Sequence, residues 1–253
     1  MRCLVLVACA GVSLLAQAAP PHAGLDAPLR GEVRVIDPAR QPPCALWTSL
    51  EQLARHAGVR LGFEQTLDCR PATWTRQPYE HPPVDLGGLT VRAAFDRLLA
   101  HRPDYQWTVA DGIVLVRPRG AWANGSVLNR PVEAFAATGQ HPHHVLHTLL
   151  QAARPSLFRE HVDAQLSSYG RRGDAPDAVA PIDAPIAVAF GGGTVIDALN
   201  AITTPFGGSW EVAYSPDGQG HHAFIRLHLV TADDGPVTVF ASSQSFDAAA
   251  PWR

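Results

Sequence analysis

The chain has 253 residues, 46% hydrophobic and 17% charged, a composition that folds and that suffices for one large domain or two small ones. Net charge is only −3, which excludes the broad basic face that holds nucleic acid through its phosphates. All 20 basic residues are arginine, so a P-loop lysine, a Schiff-base lysine and a lysine general base are excluded too.

In chain order, the first signal is a leader. Arg2 supplies a short positive region, Cys3 to Ala16 is an apolar run too short to span a bilayer comfortably, and Ala16-Gln17-Ala18 is a small-x-small cleavage pattern. Residues 1–18 are therefore read as a signal peptide, and the mature chain is expected to be periplasmic or secreted. Leu6-Val7-Ala8-Cys9 resembles a lipobox, but the apolar stretch before Cys9 is only a stub, so a lipoprotein is the lesser reading. Two cysteines then remain, Cys44 and Cys69. In an oxidising compartment an even pair reads as a disulfide, worth roughly 3 to 4 kcal/mol by the chain-entropy model. Two separate buried thiols are the alternative, and neither cysteine sits in the C-x-x-C spacing of a zinc site.

Past the leader, Glu32 to Ile36 alternates like a strand, and Leu46, Leu50, Leu53, Ala54 and Ala57 fall at helical spacing up to Gly58. Val59 to Phe63 is a second strand, followed by a Pro-rich loop in which Trp74 and Tyr79 could be exposed contact points for a partner. Val84 to Leu86 leads into Gly87-Gly88, and Thr90 caps a helix with apolar positions Val91, Ala94, Phe95, Leu98 and Leu99. Gln106 to Val109 and Ile113 to Val116 form a hairpin over Ala110-Asp111-Gly112.

The same order then recurs. GGLTVRAAFDRLL at 87–99 matches GGGTVIDALNAIT at 191–203, and Trp107-Thr108-Val109 matches Trp210-Glu211-Val212. Leu50, Leu53, Ala57 and Leu61 match Leu146, Leu149, Ala153 and Leu157. In the second copy, Val132 to Ala136 is the first strand, His143 to Ala153 the first helix, and Ile186 to Phe190 the strand before the glycine turn. Thr194, with Asp197 three residues on, opens the second helix, and Trp210 to Tyr214 with Ala223 to Val230 closes the unit as a hairpin. The expected fold is α+β: two tandem small domains, each with two helices packed on short mixed β-sheets. The boundaries are 32–118 for the first copy, 119–131 for a linker and 132–230 for the second copy. The second copy carries a flexible insert at 170–185, and 231–253 is expected to be a loosely ordered tail.

Strand-helix-strand, strand-Gly turn-helix and hairpin, carried by Leu50-x-x-Leu53-Ala54-x-x-Ala57-Gly58-Val59, Leu86-Gly87-Gly88-Leu89-Thr90-Val91, Ala94-x-x-x-Leu98-Leu99, Trp107-Thr108-Val109 and Ile113-Val114-Leu115-Val116, resembles the secretin and TonB-dependent-receptor short N-terminal domain family. The resemblance covers about 32–118 well and 131–230 more weakly. It implies a non-enzymatic periplasmic module that contacts other proteins, as part of an envelope secretion or receptor and signalling assembly, without a cofactor, nucleic acid or a transmembrane helix after signal removal. No G-x-S-x-G, H-E-x-x-H or positioned Cys/His motif argues for an enzyme. The rival reading is a small metal-binding protein: His143 and His147 are four apart and His144 and His147 three apart, so either pair could face one ion. The Gly191-Gly192-Gly193-Thr194 run could seat an anion, but Gly87-Gly88-Leu89-Thr90 at the same place marks it as the strand-to-helix turn of the repeat.

Overall fold

The computed structural model describes residues 24–35, 37, 45–65, 83–123, 126–152, 185–217, 220–228 and 244–247. It contains both helices and small sheets, and the α+β class stands. The first repeat supplies β1 (Arg34–Val35), α1 (Ala45–Ala57), β2 (Arg60–Gln65), β3 (Val84–Asp85), α2 (Val91–Leu99), β4 (Tyr105–Ala110) and β5 (Ile113–Pro118). The apolar stripe Leu46, Leu50, Leu53, Ala54 and Ala57 of α1 is buried, and Gly58 ends the helix in the left-handed region at φ +62°. Thr90 caps α2 by accepting a hydrogen bond from the Ala93 amide at 3.1 Å. Between β4 and β5 both turn residues have positive φ, Asp111 at 51° and Gly112 at 71°, the pattern of a type I′ hairpin turn whose twist suits the flanking strands.

The second repeat supplies β6 (Pro131–Val132), β7 (Phe135–Gln140), α3 (Pro142–Ala152), β8 (Ile186–Phe190), β9 (Gly193–Thr194), α4 (Val195–Thr203), β10 (Ser209–Asp217) and β11 (Gly220–His228). Thr194 and Asp197 close a full capping box on α4, each side chain bonded to the other residue's backbone amide. The pairing of β1 with β3 is answered by that of β7 with β8. The Pro28–Thr90 bridge is answered by Pro131–Thr194. The first repeat thus starts before residue 32: the Leu25 and Ala27 carbonyls accept from the Arg92 and Val91 amides, as the Arg130 carbonyl accepts from Val195. The strand expected at Val132 to Ala136 is two, β6 and β7, since Glu133 and Ala134 part them.

The hairpins of both repeats share one six-stranded sheet in the order β12-β11-β10-β2-β5-β4, where β12 is Gln244–Asp247. The joint is parallel: Trp210, Glu211, Val212 and Ala213 of β10 lie opposite Gly62, Phe63, Glu64 and Gln65 of β2. Successive strand residues point to opposite faces. Leu61, Phe63, Val114 and Val116 join the core under α1 and α2, while Ile113 and Leu115 join the core of α3, α4, Trp210 and Val212. The helices of the two repeats therefore cover opposite faces of one sheet. This explains why Ile113-Val114-Leu115-Val116 is apolar without alternation, since β2 and β5 are buried along their whole length.

Two other expectations change. Within 119–131 the described residues Ala121, Ser126, Val127 and Leu128 are buried, in or beside two 3₁₀ turns, Arg119–Trp122 and Val127–Asn129. The physical reason is that this stretch closes over the buried Glu64–Arg117 pair, Ser126 Oγ donating to Glu64 and the Ala121 carbonyl accepting from Arg117, which offsets part of the desolvation cost. In the tail, residues 244–247 are an ordered strand, because β11 leaves an edge that β12 pairs antiparallel.

Candidate interaction surface

Among the described residues β4 is one of the two edge strands of the sheet, the other being β12. β4 lies beside β5, with Thr108 exposed and Val109 42% exposed, the one large apolar side chain so exposed among the described residues. Its counterpart in the second repeat, β10, is covered on the equivalent edge by β2. Both strands carry the pattern Trp-x-Val-Ala, at 107–110 and 210–213. In both, the tryptophan donates its Nε1–H to the helix above: Trp107 to Asp96 Oδ1 at 2.8 Å, and Trp210 to Asn200 Oδ1 at 2.8 Å. Covering changes the burial: Trp210 and Val212 are fully buried, whereas Trp107 is half-buried and Val109 open.

The covered edge shows what its docked strand supplies. Gly62 is required, because a Cβ there would stand 2.7 Å from Leu115 Cδ2 and closer still to the Trp210 ring. Arg60, two residues earlier, donates to the Asn200 carbonyl at 3.0 Å, the Thr203 hydroxyl at 3.1 Å and the Gly208 carbonyl at 3.2 Å. Those acceptors sit at and just past the C-terminal end of α4, where a cation meets the negative end of the helix dipole. Burial pushes the Arg60 guanidinium down to about 10, partly countered by Asp111. The Leu61 amide donates to Ser209 Oγ at 2.9 Å, and Gln65 Nε2 donates to Glu211 Oε1. Beside the joint, Glu64 and Arg117 form a buried ion pair at 2.6 Å, with Ser126 Oγ donating to the same carboxylate and Arg117 donating to the Ala121 carbonyl.

Around β4 the surface is polar and mixed in charge. Arg92 stacks 5.7 Å from the Trp107 ring and pairs with Asp26 at 3.0 Å. Arg102 lies 4.7 Å from the Tyr105 ring and is paired to Asp104 at 2.8 Å; that hydrogen bond raises Arg102 and holds the Asp104 carboxyl below its usual value. Arg119 donates to the Pro103 carbonyl at 2.7 Å and to Gln106 Oε1 at 3.3 Å.

The residues singled out in the sequence fall elsewhere. Cys44, Cys69, Trp74 and Tyr79 lie outside the described residues, as do the leader and nearly all of the 170–185 insert. His143, His144 and His147 are brought onto the first turns of α3, but the side chains of His143 and His147 are outside the described set. His144 is exposed, with its ring 6.4 Å from that of His141. Among the described residues no group of three metal-ligating side chains comes together, and no helix is long and apolar enough to cross a membrane. The sequence leaves the hairpin and edge strands of each unit as places where a partner strand could dock; it does not show that, among the described residues, β10 is covered by β2 while β4 has no strand on that edge. Comparison with protein-family models, with curated proteins and with solved structures finds no match.

Proposed function

We propose that the chain is a non-enzymatic periplasmic protein-interaction module, accessory to an envelope secretion or receptor and signalling assembly, built from two repeats of the secretin and TonB short N-terminal type. The observation that carries the reading is the open edge of β4, whose repeat counterpart is occupied by a strand. An exposed strand edge offers backbone hydrogen bonds to an incoming segment, and Val109 adds apolar area. The test is a photo-crosslinking residue at Val109, with one at exposed Ala123 as control, in the native envelope. An envelope protein joined at Val109 and not at Ala123 supports the proposal. Equal labelling at both positions, or none at Val109, counts against it. The rival, metal binding by His143, His144 and His147 at the start of α3, has its own readout: stoichiometric zinc or copper in tag-free protein purified without added metal would favour it.

A further inference from the structure

We infer that the β4 edge accepts a parallel strand of defined chemistry, Arg-x-Gly followed by an apolar or aromatic residue, supplied by another protein. This rests on the docking reading above and adds what the docked segment must look like. The chain holds its own template. On β10 the occupant is β2, Arg60-Leu61-Gly62-Phe63, lying parallel with Gly62 opposite Trp210. The two accepting edges share the features that this occupant reads. Trp107, like Trp210, is tied by its Nε1–H to the helix above, at Asp96 as at Asn200. This fixes an indole at the level of the neighbouring strand, and on β10 only a residue without Cβ fits beside it.

The helix end is repeated in part. Arg60 reaches the carbonyls of Asn200 and Gly208 and the Thr203 hydroxyl, and the residues at these places in the first repeat are Asp96, Tyr105 and Leu99, so the two backbone acceptors have counterparts and the hydroxyl does not. The last turn of α2 is thus placed to receive an arginine two residues before the glycine. Thr108 replaces Glu211, so the acidic group that Gln65 meets on β10 is absent from the β4 edge, and that position of the partner is free of the glutamine requirement. The exposure of Val109, against complete burial of Val212, is the area such a strand would cover.

The probe is the chain's own template as a synthetic peptide, Val59 to Gln65 (VRLGFEQ), titrated into the full-length protein and followed by amide chemical shifts. The expected result is saturable binding with shifts concentrated in β4. The same peptide with Gly62→Val should bind at least tenfold more weakly, and with Arg60→Ala several-fold more weakly. On the protein side, Val109→Arg, an exposed change that leaves the core intact, should weaken the parent peptide. No saturation up to millimolar peptide, equal affinity for the Gly62→Val peptide, or shifts confined to the β12 end of the sheet would each overturn the inference. So would a concentration-dependent dimer in sedimentation that Val109→Arg dissolves, because a second copy would then be the occupant. If crosslinking at Val109 succeeds while the peptide fails, docking stands and the strand pattern falls; if both fail, both fall.

Discussion

Gly62 and Trp210 meet where the two repeats join, and the absence of one methyl group there decides whether β10 can approach β2. Gly62→Ala forces the added carbon into the Trp210 ring and Leu115. Overpacking of this kind costs about 1 to 3 kcal/mol, so the urea midpoint of the whole protein should fall accordingly. The Asp104–Arg102 pair acts in the opposite sense and more weakly. Its carboxyl is held below the usual aspartate value of 3.8, so the stabilisation is present above that value and is lost as pH falls through the lowered one. Because Asp104 is half exposed, solvent screens the pair, and Asp104→Asn should cost about 0.2 to 1 kcal/mol at pH 7. Stability curves of wild type and variant should converge as pH drops below the usual aspartate value. A gap that stays constant over that range would remove Asp104 from the account.

At the level of the element, the two helix starts are a matched pair of unequal strength. Thr90 satisfies one amide of α2, whereas Thr194 and Asp197 satisfy two donors of α4 reciprocally. Thr90→Ala should cost about 1 kcal/mol, and Thr194→Ala should cost more, up to about 2 kcal/mol. Equal losses in chemical denaturation would show that the added bond from the Thr194 hydroxyl to Asp197 Oδ2 contributes nothing. These caps were readable in advance because capping is local: it needs a hydroxyl and an acid at fixed spacing. The stripes of α1 and α2 and the Asp111-Gly112 turn were readable for the same reason. The start of the first repeat was not, since Leu25 to Pro28 gain their place only by pairing with residues around Thr90, more than sixty positions away. The 119–131 stretch read as a linker because its buried residues are few and scattered, and their burial follows from the sheet end that they cover.

For the molecule as a whole, the shared sheet makes the repeats interdependent. Ile113 and Leu115 of the first repeat belong to the core of the second, and Arg60 holds the end of α4. The full chain should therefore unfold in a single calorimetric transition, and Arg60→Ala should lower that transition by about 1 to 3 kcal/mol without splitting it. Two separated transitions would mean that the repeats are thermodynamically independent despite their common strand ladder. By itself the sequence determined the α+β class, the helix caps and the Asp111-Gly112 hairpin turn, because each depends on contacts within one short stretch. Only the tertiary structure decided that the helices of the repeats flank opposite faces of one sheet and that, among the described residues, β10 is covered by β2 while β4 is an edge. Two strands with the same Trp-x-Val-Ala pattern look alike in sequence. Which of them finds a neighbour depends on where Gly62 and Arg60 come to lie, a matter of packing between distant segments that no local pattern encodes.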